Sequence, residues 1–145
     1  MTKAVFFPKP EDLLPHDKPM SLVDEIVNFD CGKTLEAVTT YDPSDFFYQG
    51  HFKDNPVTPG IILVETMFQT CGLLLRLSSE TSRDFPPIMG RAVKIKNATF
   101  SREVKPNEEV RIHVKFKSRM MHFFTFDCHI KVNGQVMCKS ELVLS

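Results

Sequence analysis

Residues 61–77 read IILVETMFQTCGLLLRL, almost wholly apolar and too long for an ordinary strand. The run predicts a helix. A membrane span normally needs about 20 apolar residues with few or no charges. This segment, Ile61–Leu77, is shorter and carries Glu65, Gln69 and Arg76. It therefore reads as a helix buried on nearly all sides, and the remainder of the chain must supply the surface that buries it. Thr58 is the expected N-cap and Pro59 the expected first helical residue. Glu65, Gln69, Gly72 and Arg76 follow at steps of 4, 3 and 4, which puts them on one stripe of the helix. That stripe faces solvent, a pocket or a partner subunit.

The flanking segments carry β patterns. Ser21–Phe29 contains Leu22, Val23, Ile26, Val27 and Phe29 and reads as a strand, although its spacing also admits a helix. Thr34–Tyr41 is rich in β-branched residues and is the expected partner strand across a Cys31-Gly32-Lys33 turn. Arg91–Phe100 is a further expected strand. Val110, Ile112, Val114 and Phe116 alternate with Arg111, His113, Lys115 and Lys117, the period of a half-buried strand. Asn133-Gly134 between His122–Val132 and Gln135–Val143 is a two-residue hairpin signal. The prolines of the first nineteen residues predict an irregular start, with one short helical turn near Glu11–Leu14. Ser78–Pro87 reads as a polar connector. An antiparallel sheet curved around one central helix is the simplest architecture that buries residues 61–77.

Composition bounds the function. At 145 residues, without a visible repeat or linker, the chain is expected to be one domain over residues 1–145. Its 18 Lys+Arg balance 18 Asp+Glu, so it lacks the cationic excess of a general nucleic-acid binder. Cys31, Cys71, Cys128 and Cys138 form no C-x-x-C pair, which argues against a zinc ribbon or a thioredoxin-like motif and for reduced thiols. The sequence MTKAVFFPKPEDLLPHDKP lacks a sustained apolar core of the signal-peptide kind, so a cytoplasmic location is the expectation.

The loop before the helix, Phe46 to Gly60, holds His51 among aromatics, prolines and glycines and runs into the helix start. Taken singly, a loop histidine or an acid on an apolar helix is more often structural than catalytic. Together they suggest proton-transfer chemistry. Histidine suits proton abstraction near neutral pH. A carboxyl among apolar neighbours, as Glu65 is in sequence, is suited to hold a proton for donation. Amides at a helix start, near Gly60, point outward and carry partial positive charge that can polarise a carbonyl oxygen. Base, acid and carbonyl polariser are the parts needed to remove a proton α to a carbonyl and expel a β-hydroxyl. Spacing alone does not show that they meet.

Three segments carry a family resemblance. Leu13-Leu14-Pro15-His16, Pro19 and Leu22-Val23-Asp24 resemble an LLPHxxPxxLVD motif. Gly50-His51-Phe52, Asn55-Pro56 and Pro59-Gly60 match a GHFPxxPxxPG motif without insertion or deletion, and Glu65-Thr66-Met67-Phe68-Gln69 resembles an E-A-M-A-Q helix start. From about Leu13 onward the chain resembles the 3-hydroxyacyl-[acyl-carrier-protein] dehydratases of FabZ type. The resemblance implies an α+β hotdog fold, an antiparallel β-sheet wrapped around one long central helix. It implies a homodimer or trimer of dimers with the active site between subunits. His51 would remove the C2 proton, Glu65 of the partner subunit would protonate the leaving hydroxyl, the Gly60 amide would hold the thioester carbonyl, and Gln69 could orient Glu65. No metal or redox cofactor is implied, since the substrate arrives on the phosphopantetheine arm of an acyl carrier protein. Phe47, Ile62, Met67 and Phe68 are candidates for an acyl tunnel. Arg91, Lys94, Lys96, Arg102 and Lys105 are candidates for a basic patch facing the acidic carrier, with Lys115, Lys117 and Arg119 a second such face.

The chain departs from the family pattern at Lys53-Asp54, where Pro-Gly is common, at Asp17-Lys18 and Met20-Ser21, and at Pro106-Asn107-Glu108, where Pro-Gly-Asp is usual. Asn tolerates the left-handed conformation a Gly would supply. These changes leave open a housekeeping fatty-acid role or a specialised one such as polyene biosynthesis. Two other readings are a hotdog thioesterase and a non-catalytic, acyl-carrier-binding hotdog subunit paired with another chain.

Overall fold

The computed structural model describes residues 6–52, 54–87 and 90–145. Strands β1 (Glu25–Asp30), β2 (Thr34–Thr40), β3 (Ala92–Phe100), β4 (Glu109–Met120), β5 (Phe123–Val132) and β6 (Gln135–Leu144) form one antiparallel sheet in the order β1-β2-β4-β5-β6-β3. A short helix, α1 (Pro10–Leu13), and a 3-10 turn (Phe46–Tyr48) precede the long helix α2 (Gly60–Thr81), which packs on β2, β4, β5 and β6. This is the hotdog arrangement.

The register follows from the alternation in sequence. Val110, Ile112 and Val114 of β4 and Phe124, Phe126 and Ile130 of β5 turn inward and are almost fully buried. They meet Met67, Cys71, Leu73 and Leu74 of α2 in one core. Each such side chain contributes about 1.5–3 kcal/mol of transfer free energy. By length and composition α2 could cross a bilayer, but 72% of its most apolar window is buried in this fold. Asn133 and Gly134 both take positive φ, as the tight β5–β6 hairpin requires. Asn107 likewise sits at φ 68, so it fills the left-handed position expected for its turn.

Several boundaries differ from the sequence reading. The first strand starts at Glu25, not Ser21; Leu22 and Val23 are buried ahead of it as irregular chain. Helix α2 begins at Gly60 with Pro59 as N-cap, one residue later than expected. The Thr58 hydroxyl is engaged instead with the Tyr48 hydroxyl at 2.7 Å, and the Thr58 N–H donates to the Val104 carbonyl. The helix also runs on through Thr81. Its last polar residues are useful there: the Ser78 hydroxyl is buried and accepts from the Gly32 N–H, and Thr81 Oγ1 bonds back to the Leu77 carbonyl.

The two sheet edges differ in character. Strand β1 exposes Glu25, Asn28 and Asp30. Strand β3 exposes Val93, Ile95 and Phe100, each near half of its full surface. An apolar, unpaired edge of this kind is a template for another strand.

Candidate active site

His51 sits in the loop between the 3-10 turn and α2, and this loop is fixed by its own backbone. The Val57 N–H donates to the His51 carbonyl at 3.1 Å, and the His51 ring returns a bond from Nδ1 to the Val57 carbonyl at 2.9 Å. A carbonyl can only accept, so Nδ1 carries the ring proton and Nε2 presents its lone pair. The Tyr48–Thr58 hydroxyl pair braces the loop from within. Burial pushes the Tyr48 phenol up to about 12, so it stays a neutral hydroxyl at physiological pH. The His51–Phe52 peptide is cis, as is Lys18–Pro19. Lys53, at the departure from the family motif, lies outside the described residues.

His51 lines a cavity of about 300 Å³ with Val57, Gly60, Leu63, Phe100 and Arg102. Gly60 opens α2, where the first N–H groups lack an intrahelical acceptor. A Cβ on Gly60 would lie 3.0 Å from two ring carbons of Phe100, so the half-exposed ring would have to shift to admit one. The Phe100 ring thus closes over the helix start beside the histidine.

Glu65 lies elsewhere. It lines a second cavity, of about 210 Å³, with Leu14, His16, Phe68, Gln69, Gly72 and Arg91. At about 100° per residue, Leu63 and Glu65 project from nearly opposite sides of α2. One chain therefore places His51 and Glu65 in separate cavities. The stripe of polar residues on α2 faces the N-terminal segment: Gln69 accepts from the Leu22 N–H at 2.9 Å and donates to the Met20 carbonyl at 2.6 Å and to Glu65 Oε1 at 3.2 Å. Gln69 is buried, Glu65 half-buried and Arg76 exposed.

The two cavities lie at opposite ends of β3. Gly90, Arg91 and Ala92 border the Glu65 cavity, and Phe100 to Val104 border the His51 cavity. At about 3.3 Å per residue the intervening strand spans roughly 25 Å.

Other expectations fare unevenly. Of the four tunnel candidates, Phe68 borders the Glu65 cavity, whereas Phe47, Ile62 and Met67 are buried in the main core, Phe47 in an aromatic cluster with Tyr41, Phe46 and Tyr48. The five basic candidates are strung along β3 and the turn after it, not gathered in one patch: Arg91 and Arg102 stand at its two ends, and Lys96 is tied to Glu141 at 3.6 Å. Lys117 of the second basic face also pairs with Glu141. Sequence reasoning assigned no role to His16, Leu63 or Phe100, which the structure sets at the two cavities; the Leu14-Pro15-His16 motif was the available signal for the first. Among the described residues, no three His, Cys, Asp or Glu side chains are grouped to hold a metal ion.

Known proteins resemble this chain in sequence and in fold. The FabA-like domain family matches residues 14–141. The 3-hydroxyacyl-[acyl-carrier-protein] dehydratase FabZ of Pseudoalteromonas translucida is 33% identical over 131 residues, covering 90% of this chain and 86% of the relative. The FabZ of Shewanella oneidensis is 34% identical over 132 residues, covering 90% and 84%. Among solved structures, the dehydratase heterocomplex ApeI:P from Xenorhabdus doucetiae superimposes with a TM-score of 0.80 at 16% identity, covering 96% of this chain and 91% of that one. A hypothetical thioesterase from Streptococcus pneumoniae, solved with coenzyme A, reaches 0.61 at 15% identity, covering 83% and 82%. At these identities the structural matches establish the fold alone.

Proposed function

The chain belongs to the FabA-like family as a FabZ-type 3-hydroxyacyl-[acyl-carrier-protein] dehydratase, and on that premise we propose that His51 of one copy and Glu65 of a second copy form its active site. The observation that carries this reading is the placement of the two cavities at opposite ends of the apolar edge strand β3. Antiparallel pairing of β3 with its two-fold mate lays the Gly90–Ala92 end of one chain against the Phe100–Arg102 end of the other. Two such sites form per dimer, and neither forms in a lone chain.

In this site the thioester carbonyl oxygen lies at the free amides of the α2 start, led by the Gly60 N–H. That interaction acidifies the C2 proton, which His51 Nε2 accepts. The C2–H electron pair becomes the C2=C3 bond, the C3–O bond breaks, and the hydroxyl leaves as water with the proton of the partner copy's Glu65. The product is trans-2-enoyl-ACP. His51 then holds one extra proton and Glu65 one fewer; proton transfer between them through solvent resets the pair. No metal or redox group enters this chemistry. The same strand pairing sets Arg102 of one copy beside Arg91 of the other, giving the site a basic rim suited to an acidic carrier protein. This reading implies fatty-acid biosynthesis in the cytoplasm; assay of 3-hydroxyacyl carriers differing in length and unsaturation separates it from a polyene role.

The test is complementation. His51→Ala and Glu65→Gln should each abolish hydration of an enoyl thioester, followed by loss of its ultraviolet absorbance. After subunit exchange at equal concentration, half of the dimers carry one intact site, so roughly a quarter of wild-type activity should return. Near wild-type turnover in either variant would sink that residue's role. Continued inactivity in a verified heterodimer, whether of this chain or with a paired hotdog subunit, would sink the shared site.

A further inference from the structure

The Leu13-Leu14-Pro15-His16 segment carries a histidine that the chemistry above does not use. His16 Nε2 stands 3.4 Å from Glu65 Oε1, in the cavity that Glu65 lines. Gln69 Nε2 reaches the same oxygen at 3.2 Å. Both nitrogens approach Oε1, and among the described residues neither of these contacts involves Oε2. The other ring nitrogen of His16, Nδ1, is buried and has no hydrogen-bond partner. A proton on Nδ1 would be a buried donor without an acceptor, which is costly. The proton therefore belongs on Nε2, the ring nitrogen nearer Glu65. Contacts of this length commonly tighten when substrate enters an active site.

We propose that His16 is a positioning residue that, as a neutral Nε2–H donor, joins Gln69 in holding Glu65 Oε1 as the carbonyl-like oxygen, so that Oε2 carries the proton given to the leaving hydroxyl. The inference rests on the assignment of Glu65 as the acid. An oxygen that accepts two N–H bonds uses both lone pairs, so the carboxylic proton is directed to the other oxygen. That fixes the rotation of the carboxyl and aims its proton away from the N-terminal segment. Arg91 is the other charged side chain lining this cavity, and the partner's His51 is the titratable group that would face it across the assembled site.

The test compares His16→Phe, which keeps a ring and removes both donors, with His16→Gln, which restores an N–H near the Nε2 position. His16→Phe should lower kcat by on the order of tenfold to a hundredfold, the effect of a misaimed catalytic group, with KM changed less than about threefold. His16→Gln should recover most of that loss. After subunit exchange, His16→Phe should complement His51→Ala, because the heterodimer then contains one fully native site. It should not complement Glu65→Gln, because His16 and Glu65 serve the site from the same chain. Equal kcat in His16→Phe and wild type overturns the proposal. So does equal impairment of the Phe and Gln variants, or loss confined to KM. If His16→Phe does not fold by circular dichroism, His16→Leu takes its place, and a His16→Gln enzyme as slow as that variant overturns the proposal. Full activity in Glu65→Gln would instead remove the premise, whatever the His16 variants do.

Discussion

Replacing Gln69 with Leu removes three hydrogen bonds while nearly conserving volume, and the structure indicates what each loss costs. The Leu22 N–H, on a residue only 5% exposed, loses its acceptor and becomes a buried unsatisfied donor, which costs about 1–3 kcal/mol. The Met20 carbonyl loses a donor, but Met20 is 39% exposed, so water replaces the bond at little cost. Glu65 Oε1 loses one of its two neighbours. The expected sum is about 2–3 kcal/mol of stability. For a chain of this size, each kcal/mol moves Tm by roughly 2–4 °C, so Tm should fall by about 4–12 °C. The measurement is thermal unfolding by circular dichroism at fixed protomer concentration, because under the proposed dimer stability would depend on concentration. Amide exchange at Leu22 should accelerate, and kcat should fall about tenfold through the loosened Glu65. A Gln69→Leu protein with Tm within about 1 °C of wild type and an equally protected Leu22 amide would refute the claim that Gln69 anchors the N-terminal segment to α2.

Two further outcomes follow from other parts of the molecule. Val93→Glu combined with Ile95→Glu puts charge on the apolar edge of β3; light scattering should find a monomer that is folded but inactive, and an active dimer would contradict pairing along β3. On the outer face of the sheet, His113 and His129 stack with ring centroids 5.0 Å apart, and burial, then His113, then Lys131, hold the His129 imidazole below its ordinary range. The unfolded chain therefore takes up this proton first, so stability is complete above about pH 6.5 and declines as pH falls below it; His129→Gln should flatten the decline in Tm between about pH 7 and 5, and an unchanged slope would assign it to other groups.

How far the sequence could be read depended on whether a feature was local. The α2 run, the period-2 alternation of β4, the Asn133-Gly134 turn and the left-handed Asn107 all express constraints within a few residues, and the structure carries each of them. The helix start was misread because Thr58, a good capping residue by type, is claimed by Tyr48 ten positions away. Its end was misread because Ser78 is polar yet buried, its hydroxyl answering the turn at Gly32. Met67 and Ile62, offered as tunnel candidates through the family resemblance, are buried in the main core of the chain. His16 escaped assignment because its relation to Glu65 crosses 49 positions of sequence and depends on how Gln69 holds the segment between them.

The register of β3 acts as a gauge. Under the proposed pairing, the catalytic halves come into alignment only in one register of β3 against its mate. Slipping that register by two residues would move the acid and the base roughly 7 Å out of step while leaving each chain's core untouched. A change within residues 92–100 that slips this pairing should thus give a well-folded enzyme that does nothing. A second hotdog chain could substitute for one copy only if its own edge strand matched this measure.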